Sequence, residues 1–154
     1  MGGSFSIELL GKWGDVSTKT PYQQIFYFSD YNLYANSFAI ERNGTTDTIF
    51  HAYRSGGTVA SNLNIGNIPT PGTTFEHIVL TFNQTSATTT TTIAYLNGTQ
   101  VATRTSHIVP NVTRGEHNIG GSYGTGGDRT FGNVRMKYMK FYNRALTEAE
   151  VQSL

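Results

Sequence analysis

The sequence predicts an all-β fold, an antiparallel β-sandwich finished by one short C-terminal helix, and three observations carry that prediction. Short segments of alternating apolar residues recur along the 154-residue chain, separated by Gly, Asn and Pro, without the strand-helix alternation of a parallel sheet. Charged residues make up only 14% while aromatics reach 12% and Gly numbers 17, the balance of a turn-rich β protein. At the end of the chain Thr147 is followed three residues later by Glu150, a capping box in which hydroxyl and carboxylate satisfy each other's backbone N–H groups and start a helix. A chain of this length forms one domain, residues 1–154, around a single core.

The elements follow in order. Phe5, Ile7 and Leu9 alternate with Ser6, Glu8 and Leu10, a first strand with one buried face that ends near Trp13-Gly14. Residues 23–29 hold the apolar run Ile25-Phe26-Tyr27-Phe28, expected of an interior strand covered on both faces. Residues 38–41 and 46–53 flank Asn43-Gly44, whose tolerance of positive φ suits a two-residue hairpin turn that would set Glu41 opposite Thr46 and Asp47 opposite Ile40. Asn97-Gly98 repeats the device, so that Ala94 faces Val101 and Tyr95 faces Gln100. Residues 75–82 place Ile78, Leu80 and Phe82 on one face and Phe75, His77, Val79 and Thr81 on the other, the pattern of a central strand. The threonine run 88–92 leads into Ile93 as a strand entrance, because β-branched side chains suit a half-exposed strand. In the closing strand the apolar pattern moves from Val134 and Met136 to Met139 and Phe141, a change of face that a bulge explains.

Composition also excludes. A net charge of +1 without a basic stripe argues against nucleic acid, and no apolar run is long enough to cross a bilayer. Cysteine is absent, which removes disulfides, thiolate metal sites and a cysteine nucleophile. Met1-Gly2-Gly3-Ser4 lacks the basic-then-apolar pattern of a signal peptide and reads as an appended start. Sequons at Asn43, Asn83, Asn97 and Asn111 fit secretion, although Asn-Gly also serves tight turns for backbone reasons.

Five motifs occur in a telling order: Phe75-Glu76-His77-Ile78, Tyr95-Leu96-Asn97-Gly98, Ile119-Gly120, Phe131-Gly132 and the stretch from Tyr142 to Glu150. Together they resemble the laminin G-like, concanavalin A-like lectin/glucanase superfamily, closely over the second half of the chain and loosely in the first strand. The resemblance implies a jelly-roll sandwich and a place outside the cell, or on a virion or cell surface. Two departures matter. Relatives open with an Asp-Gly-x-x-Asp-Tyr-like strand that pairs near the closing strand, whereas this chain starts at Gly2-Gly3-Ser4-Phe5, so that edge is expected to be missing, leaving the first strand open, or to be supplied elsewhere. Relatives also carry two acids before the final strand motif, where this chain has Lys137 and Tyr138, which argues against a cation there.

The candidate ligand residues lie in two loops, Asp30, Tyr31, Asn32 and Tyr34 in the first and Tyr123, Asp128 and Arg129 in the second. A pyranose offers an apolar face to tyrosine and hydroxyls to Asp, Asn and Arg, which suits aromatic, polar loops at a sandwich end. Calcium is an option, with Asp30 or Asp128 as its ligand, though neither sits in dense acidic spacing. A retaining glycosidase needs paired carboxylates about 5 Å apart, and no acids here are placed to cooperate. Glu8 and Glu76 read as lone outward-facing strand acids, and His77 as a donor to a neighbouring carbonyl. His51, His77, His107 and His117 show no chelating spacing, and no Gly-x-Ser-x-Gly elbow exposes a nucleophile. The sequence therefore predicts a noncatalytic, lectin-like or adhesion module for a glycan or a cell-surface or particle protein. The second reading is a structural decoration or assembly protein of a virion or adhesin, oligomerising through an open sheet edge. A glycoside hydrolase ranks third.

Overall fold

A computed structural model describes residues 3–14, 22–29, 37–43, 48–55, 58–67, 74–107, 113–122, 130–131 and 134–154. Strands β1 (Phe5–Trp13), β6 (Glu76–Gln84), β7 (Thr89–Leu96), β8 (Thr99–His107) and β12 (Val134–Tyr142) form sheet A in the order β12-β1-β6-β7-β8. Strands β2 (Tyr22–Ser29), β3 (Phe38–Asn43), β4 (Thr48–Ser55), β5 (Thr58–Asn67) and β9 (Glu116–Ile119) form sheet B in the order β5-β4-β3-β2-β9. A small ribbon of β10 (Gly121–Ser122) and β11 (Thr130–Phe131) connects the two sheets in sequence, and helix α1 (Glu148–Gln152) closes the chain. Every pairing is antiparallel, as predicted.

The core lies between the sheets. Phe5 stacks on Phe82 at 4.3 Å within sheet A, and Phe38 of sheet B meets both edge-on at 5.7 and 5.3 Å while stacking on Phe26 at 5.6 Å. Each of these rings is fully buried, which is worth about 1.5–3 kcal/mol per side chain and locks the sheets face to face. The predicted alternation of β1 is correct, but its other face is buried too, because the tail folds back over sheet A. Leu146 and Val151 pack there against Val79 and Tyr95. A helix of five residues has no stability of its own. It is held by this burial, by the Thr147–Glu150 capping box, and by the Arg144 fork on Glu150 at 2.8 and 2.6 Å. Ser6 Oγ accepts from Leu146 N at 2.9 Å and donates to the Arg144 carbonyl at 3.0 Å, tying the tail to β1.

Turns and bulges set the register. Asn97 and Gly98 adopt φ of 50° and 78°, the two positive values of the predicted hairpin turn, and Tyr95 faces Gln100. One residue further on the pairing slips, so Ala94 faces Ala102 rather than Val101. The Asn43-Gly44 prediction fails: β3 runs through Asn43, four residues (44–47) lead to β4, and Glu41 faces Phe50 rather than Thr46. Asp47 lies outside the described residues. The predicted bulge in the closing strand is present, with Leu10 opposite Tyr138 and Gly11 opposite Met136, which leaves Lys137 as the extra residue. A Cβ at Gly11 would stand 3.0 Å from Leu9 Cδ1 and 3.4 Å from Val134 Cγ2, so a larger residue there obliges the Leu9 side chain to shift. The first strand is not an edge, since β1 is paired on both sides by β12 and β6. Among the described residues the outermost strands are β12 and β8 in sheet A and β5 and β9 in sheet B.

Candidate functional site

The outer face of sheet B is the candidate. β2 reaches it through a bulge: Gln24 pairs with Glu41 and Phe26 with Ile40, so both Ile25 and Phe26 enter the core while Gln24 and Tyr27 share the opposite face. Register adds Ala39 beside Tyr27 on one side, and Asn118 and Glu116 of β9 beside Tyr27 and Ser29 on the other. Gln24, Tyr27, Ser29, Ser37, Ala39 and Glu41 are all buried although they point away from the core. Gln24 Nε2 donates to Glu41 Oε2 at 2.8 Å, and Ser29 Oγ donates to Glu116 Oε2 at 3.3 Å. The amides are only half used. Among the described residues four buried side-chain atoms have no hydrogen-bond partner: Trp13 Nε1 and Thr90 Oγ1 on strands of sheet A, and on this face the acceptor Gln24 Oε1 and the donor Asn118 Nδ2. A buried polar atom left without a partner costs about 1–3 kcal/mol, so each such atom has free bonding capacity that an ordered water or a ligand's polar group can use.

The outer face of sheet A is the other polar centre, and it is closed. Glu8 of β1 points outward from sheet A as the sequence predicts, but it is 1% exposed and covered rather than open to solvent. Lys140 Nζ lies 3.3 Å from each of its oxygens, His77 Nε2 lies 3.1 Å from Oε1, and the Tyr142 hydroxyl donates to Oε2. His77 thus meets a carboxylate rather than the expected backbone carbonyl. Burial alone would raise the Glu8 carboxyl, but hydrogen bonds from Tyr142, Tyr138, His77 and Lys140 outweigh it and hold the group below the usual carboxylate range. The bond to Glu8 pushes Tyr142 up to about 12, and burial together with Glu8 raises Tyr138. No valence of Glu8 is left for a ligand.

Carboxylate placement limits the chemistry. Glu41 and Glu116 stand on strands either side of β2, about 10 Å apart laterally and offset by about 13 Å along the strands. Retaining glycosidases hold their acids about 5 Å apart and inverting ones roughly 6.5–9.5 Å. Glu8 faces outward from sheet A while Glu76, opposite Gly11, belongs to the other face. Among the described residues no three His, Cys, Asp or Glu gather as a metal site, and no helix is long and apolar enough to cross a membrane.

The predicted ligand residues Asp30, Tyr31, Asn32, Tyr34, Tyr123, Asp128 and Arg129 lie outside the described residues. Their stems are placed. Residues 30–36 follow Ser29, whereas 123–129 follow β10, which lies beyond the Gly120 N to Ile25 carbonyl bond at the other end of β2. The two stems leave sheet B at opposite ends of β2. Gln24, Glu41, Glu116 and Asn118 of the candidate face were not among the residues the sequence singled out as ligand contacts. The signal available was Gln23-Gln24 at the head of an otherwise apolar strand.

Comparison with solved structures returns neighbours of the same fold, several of them from sialidases. The carbohydrate-binding module CBM40 of the Ruminococcus gnavus IT-sialidase, in a structure bound to α2,3-sialyllactose, matches with a TM-score of 0.75 at 14% identity, over 99% of this chain and 82% of that one. The NanB sialidase of Streptococcus pneumoniae matches at a TM-score of 0.74 and 15% identity, with all of this chain covering 24% of that enzyme. The leech intramolecular trans-sialidase matches at 0.71 and 17%, over 98% of this chain and 23% of that one. At these identities the likeness shows the fold alone. A search of curated protein sequences finds no match. Residues 2–152 match the sequence family described as the concanavalin A-like lectin/glucanases superfamily, and with nearly the whole chain spanned this protein belongs to that family.

Proposed function

We propose that this chain is a noncatalytic carbohydrate-binding module that takes a glycan on the outer face of sheet B, with Tyr34 and Tyr123 as further candidate contacts. The observation that carries the reading is the pair of incompletely bonded buried amides, Gln24 Oε1 further along β2 from Tyr27 and Asn118 Nδ2 opposite Tyr27 on β9. Sugar hydroxyls both donate and accept, so they complete an acceptor and a donor at once, while a tyrosine ring covers a pyranose face. The wide separation of Glu41 and Glu116 supports binding without hydrolysis. The Ruminococcus gnavus module adds a neighbour of the same fold that was crystallised with sialyllactose, which makes sialylated and plain lactose the first ligands to try. Such glycans are met outside cells and on particle surfaces.

A glycan array, run with calcium and again with chelator, tests the proposal and the calcium option together. Saturable binding that weakens at least tenfold in Asn118→Ala and Tyr34→Ala supports it, with no sugar released from the bound glycan. A folded protein that retains no glycan in either condition refutes it, and hydrolysis lost in Glu41→Gln would make the protein an enzyme.

A further inference from the structure

The two lateral sides of the sandwich differ. On one, β5 lies against β8, so the outermost strands of the two sheets meet and the core is shut. On the other, β12 and β9 end their sheets without a further strand among the described residues, and the core shows between them. Phe141 of β12 reaches across to Phe28 and Phe26 at 5.8 and 6.4 Å, and Phe28 meets His117 of β9 at 5.0 Å. Phe141 nevertheless remains 44% exposed and Ile119 64% exposed. Register turns both toward the core side, Phe141 beside Ile7 and Ile119 beside Phe26. Apolar residues on the inner side of two unpaired edges form an unfinished seam.

The opposite face of β12 is basic. Lys12 lies opposite Arg135, and Lys137 and Lys140 follow along the strand, in a chain whose net charge is only +1. Of these, Lys140 pairs with Glu8 and Lys137 stands 4.3 Å from the Phe75 ring centre. A second copy does not fit. Pairing β12 with another β12 sets cation against cation, the edge strands β8 and β5 carry no acid, and β9 offers a single one, Glu116, which already accepts from Ser29.

We propose that β12 is a docking edge for an extended segment of another protein in which acidic and apolar residues alternate. The segment adds as a strand to sheet A, its backbone pairing with β12. Its apolar side chains enter the seam beside Phe141 and Ile119, and its carboxylates face Arg135, Lys137 and Lys140.

A ten-residue peptide alternating Glu and Val, with a Lys-Val counterpart as control, tests the proposal on the intact protein. The Glu-Val peptide should bind, slow amide exchange across β12 but not β8, and lose at least tenfold in affinity in the double variant R135E/K137E, whose positions are both exposed. Glycan binding should stay unchanged in that variant, which separates this edge from the face of sheet B. Ile119→Asn tests the seam at an exposed position and should weaken the peptide several-fold. No binding of the Glu-Val peptide, equal binding of the Lys-Val peptide, protection confined to β8, or self-association of the protein in its place would each overturn the proposal.

Discussion

On the outer face of sheet A, Glu8 meets Tyr142, Tyr138, His77 and Lys140, and Ser6 both donates to and accepts from the tail. On the outer face of sheet B, Gln24 spends its N–H on Glu41 and leaves its oxygen unused, and Asn118 leaves its N–H unused. Both faces bury polar groups beyond the core, but only the second keeps bonding capacity in reserve. Complete bonding rigidifies and anchors, here the C-terminal helix on β1. Incomplete bonding costs stability, and the proposed glycan would complete it on sheet B.

The comparison yields opposite signatures for mutation. Glu8→Ala should have the largest effect, a loss of about 3 kcal/mol in urea unfolding, because it leaves two tyrosine hydroxyls and a lysine without their shared acceptor. Glycan affinity measured below the unfolding transition should not change. Next is the alkaline limb. Tyr142 ionises at about 12 in the folded chain against roughly 10 when unfolded, so its contribution is complete below pH 10 and disappears as pH rises through 12. Tyr142→Phe should cost about 1–2 kcal/mol at neutral pH and flatten the alkaline fall, as followed by circular dichroism.

The acid limb runs the other way. Arg144 and Thr147 hold the Glu150 carboxyl down to about 2, and Glu8 is also depressed. Their contributions are present above the unfolded carboxylate value, roughly 4.3, and are lost as pH falls toward 2. Thr147→Ala should remove about 1 kcal/mol and reduce this acid sensitivity in a pH series of thermal melts. The smallest stability effect belongs to sheet B: Asn118→Ala should change unfolding free energy by less than about 0.5 kcal/mol, or raise it, since it deletes a donor that has no partner. A large loss there would remove the distinction between the faces.

Much of the framework was legible because local chemistry decided it. Phe5, Ile7 and Leu9 alternate because β1 has a core face, Asn97-Gly98 turns because both residues accept positive φ, and Thr147–Glu150 caps because the spacing closes the box. The face change from Met136 to Met139 located a bulge correctly. Failures arose where a distant partner decided. Glu8 looks like any strand acid until β6 and β12 bring His77, Lys140 and Tyr142 around it. β5 went unassigned, since Thr58–Asn67 mixes Asn, Ser and Gly with few apolar residues and takes its place from pairing with β4. The site was less legible still: Gln24 and Asn118 lie 94 residues apart in sequence and meet only through the register of β2 and β9.

Calorimetric titration of one array-selected glycan into the native protein, Asn118→Ala and Tyr142→Phe compares the two faces in a single experiment. Native-like affinity in Tyr142→Phe with at least a tenfold loss in Asn118→Ala is the predicted result. Full affinity in Asn118→Ala, with the loss falling on Tyr142→Phe, would contradict it and move the ligand to sheet A.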